Sequence, residues 1–319
     1  MKKTFSIIRN FFHQNVPVET LGFYRIVISG FALIQFLVLL PDWMLFYGPE
    51  GMMPWPISEA LASNYMPTLS AVTKLFSPIG MSANGSVYLV TVIYVISLIG
   101  LFVGFKTRLM GLLAWSMHLI INTTGNLTAY GVETFTHIAL FYCAVLPVGA
   151  SWSRDNLKKP KQLPAYLITL SVRIIQLHLC IMYFSSGFEK ALGDQWWNGE
   201  AIWIALQQDQ FNQVDIGWMA RVPWIPKLLG WGTLALETLY PIGILWPKTK
   251  RFWLTGILMM HFGIAVFLGL HLFGGLMILL NVAAFAQHCF PGFYKMRTSG
   301  RVSEGDNAEI KLARVYKAG

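Results

Sequence analysis

The chain has 319 residues, 55% apolar and 12% charged, with a formal charge of +9 at pH 7. A soluble domain covers its surface with about 25% charged residues, so this composition excludes an ordinary soluble protein. Apolar runs of about 17 to 23 residues match the length that crosses roughly 30 Å of hydrocarbon, and they predict an all-α, polytopic transmembrane helical bundle.

Residues 1–18, beginning MKKTFSIIRNFF, predict an interfacial amphipathic helix. Arg9, Asn10 and His13 break the apolar stretch, and no small-residue cleavage site follows, so it is not read as a signal peptide. Eight spans are predicted, at 20–40, 85–105, 107–124, 132–149, 166–188, 228–246, 252–270 and 272–290. The charge pattern tests this count. Of 24 Lys and Arg residues, 18 fall in the N-terminal segment, KTR at 106–108, RDNLKKPK at 154–161, KTKR at 248–251 and the tail. Basic loops stay in the cytoplasm, so both termini are placed there. The same distribution, in short blocks between spans, gives no nucleic-acid face.

The predicted transmembrane domain covers 19–292, followed by a polar cytoplasmic tail at 293–319. Two outer loops, 41–84 and 189–227, are too long and too rich in Trp, Pro and Gly for simple connections, so they are expected to be structured. Within the second, WWNGEAIWIALQQDQ reads as an amphipathic helix at the outer interface. Cys143, Cys180 and Cys289 form no CxxC pair. There is also no HExxH and no close His/Cys cluster, so a metal is not expected.

Ionisable groups inside spans are costly and serve as functional candidates. Arg25, near the start of the first span, reads either as snorkelling to lipid phosphates or as a functional group. Arg173 lies nearly two turns into the fifth span and calls for an internal carboxylate or carbonyl. Glu133 and His137 are four apart, as are His118 and Asn122, so each pair shares a helical face. Glu237 and His261 fall near the middles of spans six and seven, with Arg173 or His261 the candidate partners of Glu237. Each histidine alone reads as a hydrogen-bonded packing residue. Together with Lys190, these groups gather at mid-depth or toward the outer face. Lys190 is placed just past the outer end of span five, ahead of Trp196 and Trp197, which read as interfacial anchors. A lysine recessed behind them can serve as a base, whereas one reaching into water cannot.

Six segments follow one another in a telling order: GFYRIVISG at 22–30, LFYGPEGMMP at 45–54, GFKTRLMG at 104–111, LPVGASWSRD at 146–155, MYFSSGFEKALGDQWWNG at 182–199 and MMHFGIAVFLGLHLFGGLMI at 259–278. Their order and spacing resemble the horizontally transferred transmembrane (HTTM) domain family, which includes the vitamin K-dependent gamma-carboxylases and the SdpB-like peptide maturation proteins. The resemblance implies that Lys190 is the base that deprotonates a reduced quinone, and that His261 matches a carboxylase histidine. Where the carboxylases carry Asn-Asn-His, this chain reads YGVETFTH, with Glu133 near that position and His137 one turn on. Around a quinol headgroup, Trp196, Trp197, His118, Asn122, Glu237 and Arg173 are the expected lining.

About thirty residues follow the last predicted span, too few for the carboxylases' substrate-binding lumenal domain. A secreted peptide substrate would therefore need a partner protein. The resemblance implies a multi-pass protein of the bacterial inner membrane, in contact with membrane lipids. Three functions stay open: a carboxylase-like membrane enzyme, a non-catalytic maturation or export factor, and a transporter or scaffold.

Overall fold

A computed structural model describes residues 11, 14–63, 65–126, 128–158, 163–208, 214 and 216–290. Of the N-terminal helix predicted at 1–18, residues 14–18 are described and form a bend and turn rather than helix; the others except residue 11, and the tail at 293–319, lie outside the described residues.

All eight apolar stretches form helix. The bundle comprises α1 (Glu19–Leu39), running through a short 3-10 turn into α2 (Trp43–Tyr47), and the loop helices α3 (Trp55–Leu61) and α4 (Leu69–Phe76). Next come α5 (Ala83–Val103), α6 (Thr107–Thr124), α7 (Gly131–Val145), the short α8 (Arg154–Lys158) and α9 (Ala165–Ala191). The second long loop holds α10 (Asp194–Asn198) and α11 (Glu200–Gln207), and the chain closes with α12 (Trp224–Thr238), α13 (Tyr240–Leu245), α14 (Lys250–Phe267) and α15 (His271–Cys289). Among the described residues, four segments are long and apolar enough to cross a membrane: Glu19–Tyr47, α5, α9 and α15. Both long loops are structured, as expected.

Helix α1 is central, packing on α5, α7, α9 and α15, while α14 pairs with α15 and α9 with α12. Tyr24, Ile28, Leu98, Leu140, Tyr183 and Tyr240 fill the interior. Large apolar side chains such as Leu37, Ile96, Ile181 and Phe262 point outward, more than half exposed. In water that surface would be a liability; in a bilayer it is the face that lipid covers.

The basic loops meet at one end of the bundle, and hydrogen bonds join them. Helix α5 starts on the Ser82 hydroxyl, which accepts from the Gly85 amide, and ends at Gly104, whose φ of 78° closes the last turn. A Cβ on Gly104 would lie 2.4 Å from the Ser153 Cβ, so glycine is required there twice over. Asp155 accepts from the Lys106 and Thr107 amides, both at 2.8 Å, and from the Thr107 hydroxyl at 3.1 Å, capping the start of α6. Burial opposes ionisation of Asp155, yet the amide and hydroxyl bonds and the charge of Arg25 outweigh it and hold its carboxyl below the usual carboxylate range.

Arg25 does not snorkel. It is fully buried, and its guanidinium donates to the carbonyls of Leu101, Phe102 (2.6 Å), Val148 (3.3 Å) and Trp152 (2.7 Å). Those of Leu101 and Phe102 belong to the last turn of α5, which lacks internal partners and bears partial negative charge. The arginine is thus a structural clamp between helix ends.

Two differences from the expected boundaries bear on the site. Span six is two helices rather than one, broken at Leu239, because Pro241 has no N–H to return to the Glu237 carbonyl. Helix α9 extends past residue 188 to Ala191, because Glu189 and Lys190 are good helix formers. Lys190 therefore belongs to its last turn instead of the loop beyond.

Candidate functional site

Tyr183, Ser186, Gly187 and Lys190 repeat at helical spacing and share one face of α9. That face meets α12 at Gly187, where an added Cβ would lie 2.5 Å from the Thr238 amide nitrogen and 2.8 Å from the Glu237 Cβ. The close approach brings Lys190 Nζ to 2.6 Å from Glu237 Oε2 and 2.6 Å from Ser186 Oγ. The partner of Glu237 is therefore Lys190, and neither Arg173 nor His261. Its carboxylate is 8% exposed and the lysine side chain 24%, so the pair is buried on one side and open on the other. On the open side the Trp196 ring lies 5.4 Å from Nζ. Trp197, half exposed, donates its indole N–H to the Ala191 carbonyl and stays at the surface.

Deeper on the same face, Tyr183 and His261 share a 2.8 Å hydrogen bond, and Asn281 Nδ2 donates to the Tyr183 hydroxyl at 2.7 Å. Asn281 Oδ1 in turn accepts from the Tyr240 hydroxyl at 2.6 Å. This second tier seats His261 beneath the ion pair.

The remaining predicted residues assemble on α6 and α7. The rings of His118 and His137 stack at 5.6 Å, and Trp115 Nε1 donates to His137 Nε2 at 3.0 Å. Glu133 accepts from Gln35 Nε2 at 3.1 Å and from the Tyr130 amide at 2.9 Å, closing the first turn of α7. His118, Asn122 and Glu133 line a cavity of about 20 Å³ together with Gln35 and Tyr94, with room for about one water. His118 Nδ1 and Asn122 Oδ1 are buried without protein partners, so a small polar guest would find ready hydrogen bonds there.

Phe273 stands between the two groups, 5.8 Å from His261 and 6.3 Å from Phe135 of α7. Arg173 belongs to neither and lies toward the basic end. Among the described residues, no three His, Cys, Asp or Glu side chains converge to hold a metal ion.

Several participants were not among the predicted site residues, among them Tyr183, Ser186, Asn281 and Gln35. Tyr183 and Ser186 carried a signal, lying seven and four residues before Lys190. Asn281 and Gln35 are amides inside apolar helices, the same cost argument that singled out Glu237.

The HTTM domain model matches residues 58–288 of this chain. No curated protein and no solved structure matches it. The matched region covers most of the chain and holds Lys190, Glu237, His261 and the stacked histidines, and the protein belongs to the HTTM domain family.

Proposed function

We propose that this protein is a multi-pass enzyme of the bacterial inner membrane, resembling the vitamin K-dependent carboxylases, in which Lys190 takes a proton from a weak acid bound at the outer face. The observation that carries this reading is the Lys190–Glu237 pair, half-buried between two helices and backed by Ser186. A snorkelling anchor needs no buried carboxylate behind it. In this reading the Lys190 amine accepts the substrate proton, the Glu237 carboxylate meets the ammonium that results, and Ser186 holds Nζ in place.

The fit to a reduced quinone is in the donor set. An amine beside the flat Trp196 ring, on the open side of the pair, suits a phenolic hydroxyl on an aromatic headgroup. The cavity beside Glu133 holds about one water and is too small for such a ring. When bound, the quinol supplies an acidic hydroxyl and reducing equivalents. His261 and Tyr183 position the floor of the site. His118, Asn122 and Glu133 serve a smaller guest in their own cavity.

Native mass spectrometry of gently solubilised protein tests this reading, with wild type beside Lys190→Ala and Glu237→Gln. A co-purifying quinone in wild type is expected to fall at least about tenfold in Lys190→Ala, the loss expected for one charge-assisted hydrogen bond. An equal quinone load in both proteins, or none in either, overturns the enzyme reading. It leaves the alternative, a factor that holds a secreted peptide on the aromatic surface of Trp197, Trp218 and Trp224.

A further inference from the structure

Arg173 is the second buried guanidinium of the bundle, 2% exposed, and its surroundings differ from those of Arg25. Its Nη1 donates to Gln176 Oε1 at 2.7 Å and to His288 Nε2 at 3.1 Å, and its Nη2 to the Gln14 carbonyl at 3.4 Å. The Phe11 ring covers it at 4.1 Å. Its Nε–H is buried without a hydrogen-bond partner. Among the described residues, the salt bridges are Lys74–Glu59 and Lys190–Glu237, so no carboxylate pairs with Arg173. Arg25 is compensated by four backbone carbonyls; among the described residues Arg173 meets one backbone carbonyl, at 3.4 Å, besides the Gln176 side-chain oxygen and the His288 ring nitrogen, and its Nε–H is left over. A buried cation in a membrane protein is costly unless an anion or a full set of acceptors meets it.

Arg173 also lines a cavity of about 170 Å³ at the basic end of the bundle. Gln176, His288 and Lys250 make up its polar side, and Ile244 and Phe285 its apolar side. Among the described residues, no acidic side chain lines this cavity.

We propose that this cavity binds a phosphate-type oxyanion, recognised by Arg173 and Lys250. The adjoining polar and apolar walls suit the phosphate of an anionic phospholipid, with its glycerol and first acyl carbons against Ile244 and Phe285. Guanidinium and ammonium groups are the side chains that bind phosphate most strongly. The site lies at the opposite end of α9 from Lys190 and does not depend on the proposed enzyme chemistry.

Thermal unfolding of the purified full chain, delipidated in neutral detergent, tests it with phosphatidylglycerol, phosphatidylcholine and inorganic phosphate as probes. Phosphatidylglycerol is expected to raise the unfolding midpoint saturably, and phosphatidylcholine to leave it unchanged. Arg173→Gln and Lys250→Gln should each need about tenfold more phosphatidylglycerol, the loss of one hydrogen bond to a charged group. Lys106→Gln, exposed at the same end, should behave as wild type. Lys250 is only half-buried, so its variant keeps the test alive if Arg173→Gln does not fold. A saturable shift with inorganic phosphate alone, also lost in Lys250→Gln, supports the oxyanion site and assigns it a soluble ligand. No difference between the two lipids and no phosphate effect overturns the proposal. So does an equal loss in Lys106→Gln, which would mark diffuse surface charge.

Discussion

Gly187 decides whether Lys190 and Glu237 can meet, because any side chain there collides with the backbone of α12. Gly187→Ala is expected to destabilise the protein by roughly 1–3 kcal/mol, as overpacking of a tight contact does. Gly232→Ala is the matched control: it lies in α12 with nothing within 4 Å of the added carbon. Removing a mid-helix glycine there should stabilise by up to about 1 kcal/mol. Thermal melts in one detergent check both, and equal effects would sink the assignment of Gly187 as the close contact. At this scale the sequence was informative wherever a residue was costly. Glu237, His261 and the α6–α7 histidines stood out as polar groups in apolar helices, Lys190 as a cation just past one, and all are buried or half-buried. Their partners were not legible. Which carboxylate meets which cation depends on which helices touch, and single-helix periodicity holds no such information.

Individual helices were legible to within a few residues because apolar runs and basic flanks mark their ends. The exceptions have local causes, at Pro241 in the sixth stretch and the helix-forming Glu189–Lys190 in the fifth. The cap of α6 was not legible, since Asp155 lies 48 residues along the chain from the Thr107 amide it caps. Asp155→Ala is expected to cost about 1 kcal/mol, the usual loss of an N-terminal cap. The pH dependence has a definite sign. The folded-state pKa of Asp155 is lowered, so its contribution is complete above the unfolded value of about 3.9 and is lost as pH falls through the lower folded value. Wild type minus Asp155→Ala stability, measured from pH 6 downward, should shrink only at the acid end of the range. A difference that persists unchanged to the lowest pH would show that the carboxylate charge plays no part.

For the whole molecule, the membrane class was plain from composition, and the tertiary separation into two polar groups was not. Phe273 and Phe135 keep the stacked histidines apart from His261, although all these residues read as one outward-facing set in the sequence. The eight-span arrangement expected from the sequence is open to a direct test. Cys143, Cys180 and Cys289 are all buried, so single cysteines introduced at exposed positions report location against a low background. Lys106→Cys, Arg154→Cys and Lys248→Cys should react with a membrane-impermeant maleimide from one side of sealed vesicles, and Trp197→Cys from the other. Labelling of positions 106 and 248 from opposite sides would require a different number of crossings.

The tier beneath the ion pair also bears on how protons can move through the interior of the bundle. Tyr240, Asn281, Tyr183 and His261 are linked end to end in the interior. A row of hydroxyls and imidazoles can pass protons by successive hops, and such a row through a bilayer would short-circuit an energised membrane. Asn281 interrupts it. Its carbonyl faces Tyr240, its NH₂ faces Tyr183, and the second N–H is held by the Met277 carbonyl at 2.8 Å. An amide neither gains nor yields a proton near neutral pH. Asn281, which orders this tier, therefore also insulates it: no proton can hop between Tyr183 and Tyr240 through its side chain.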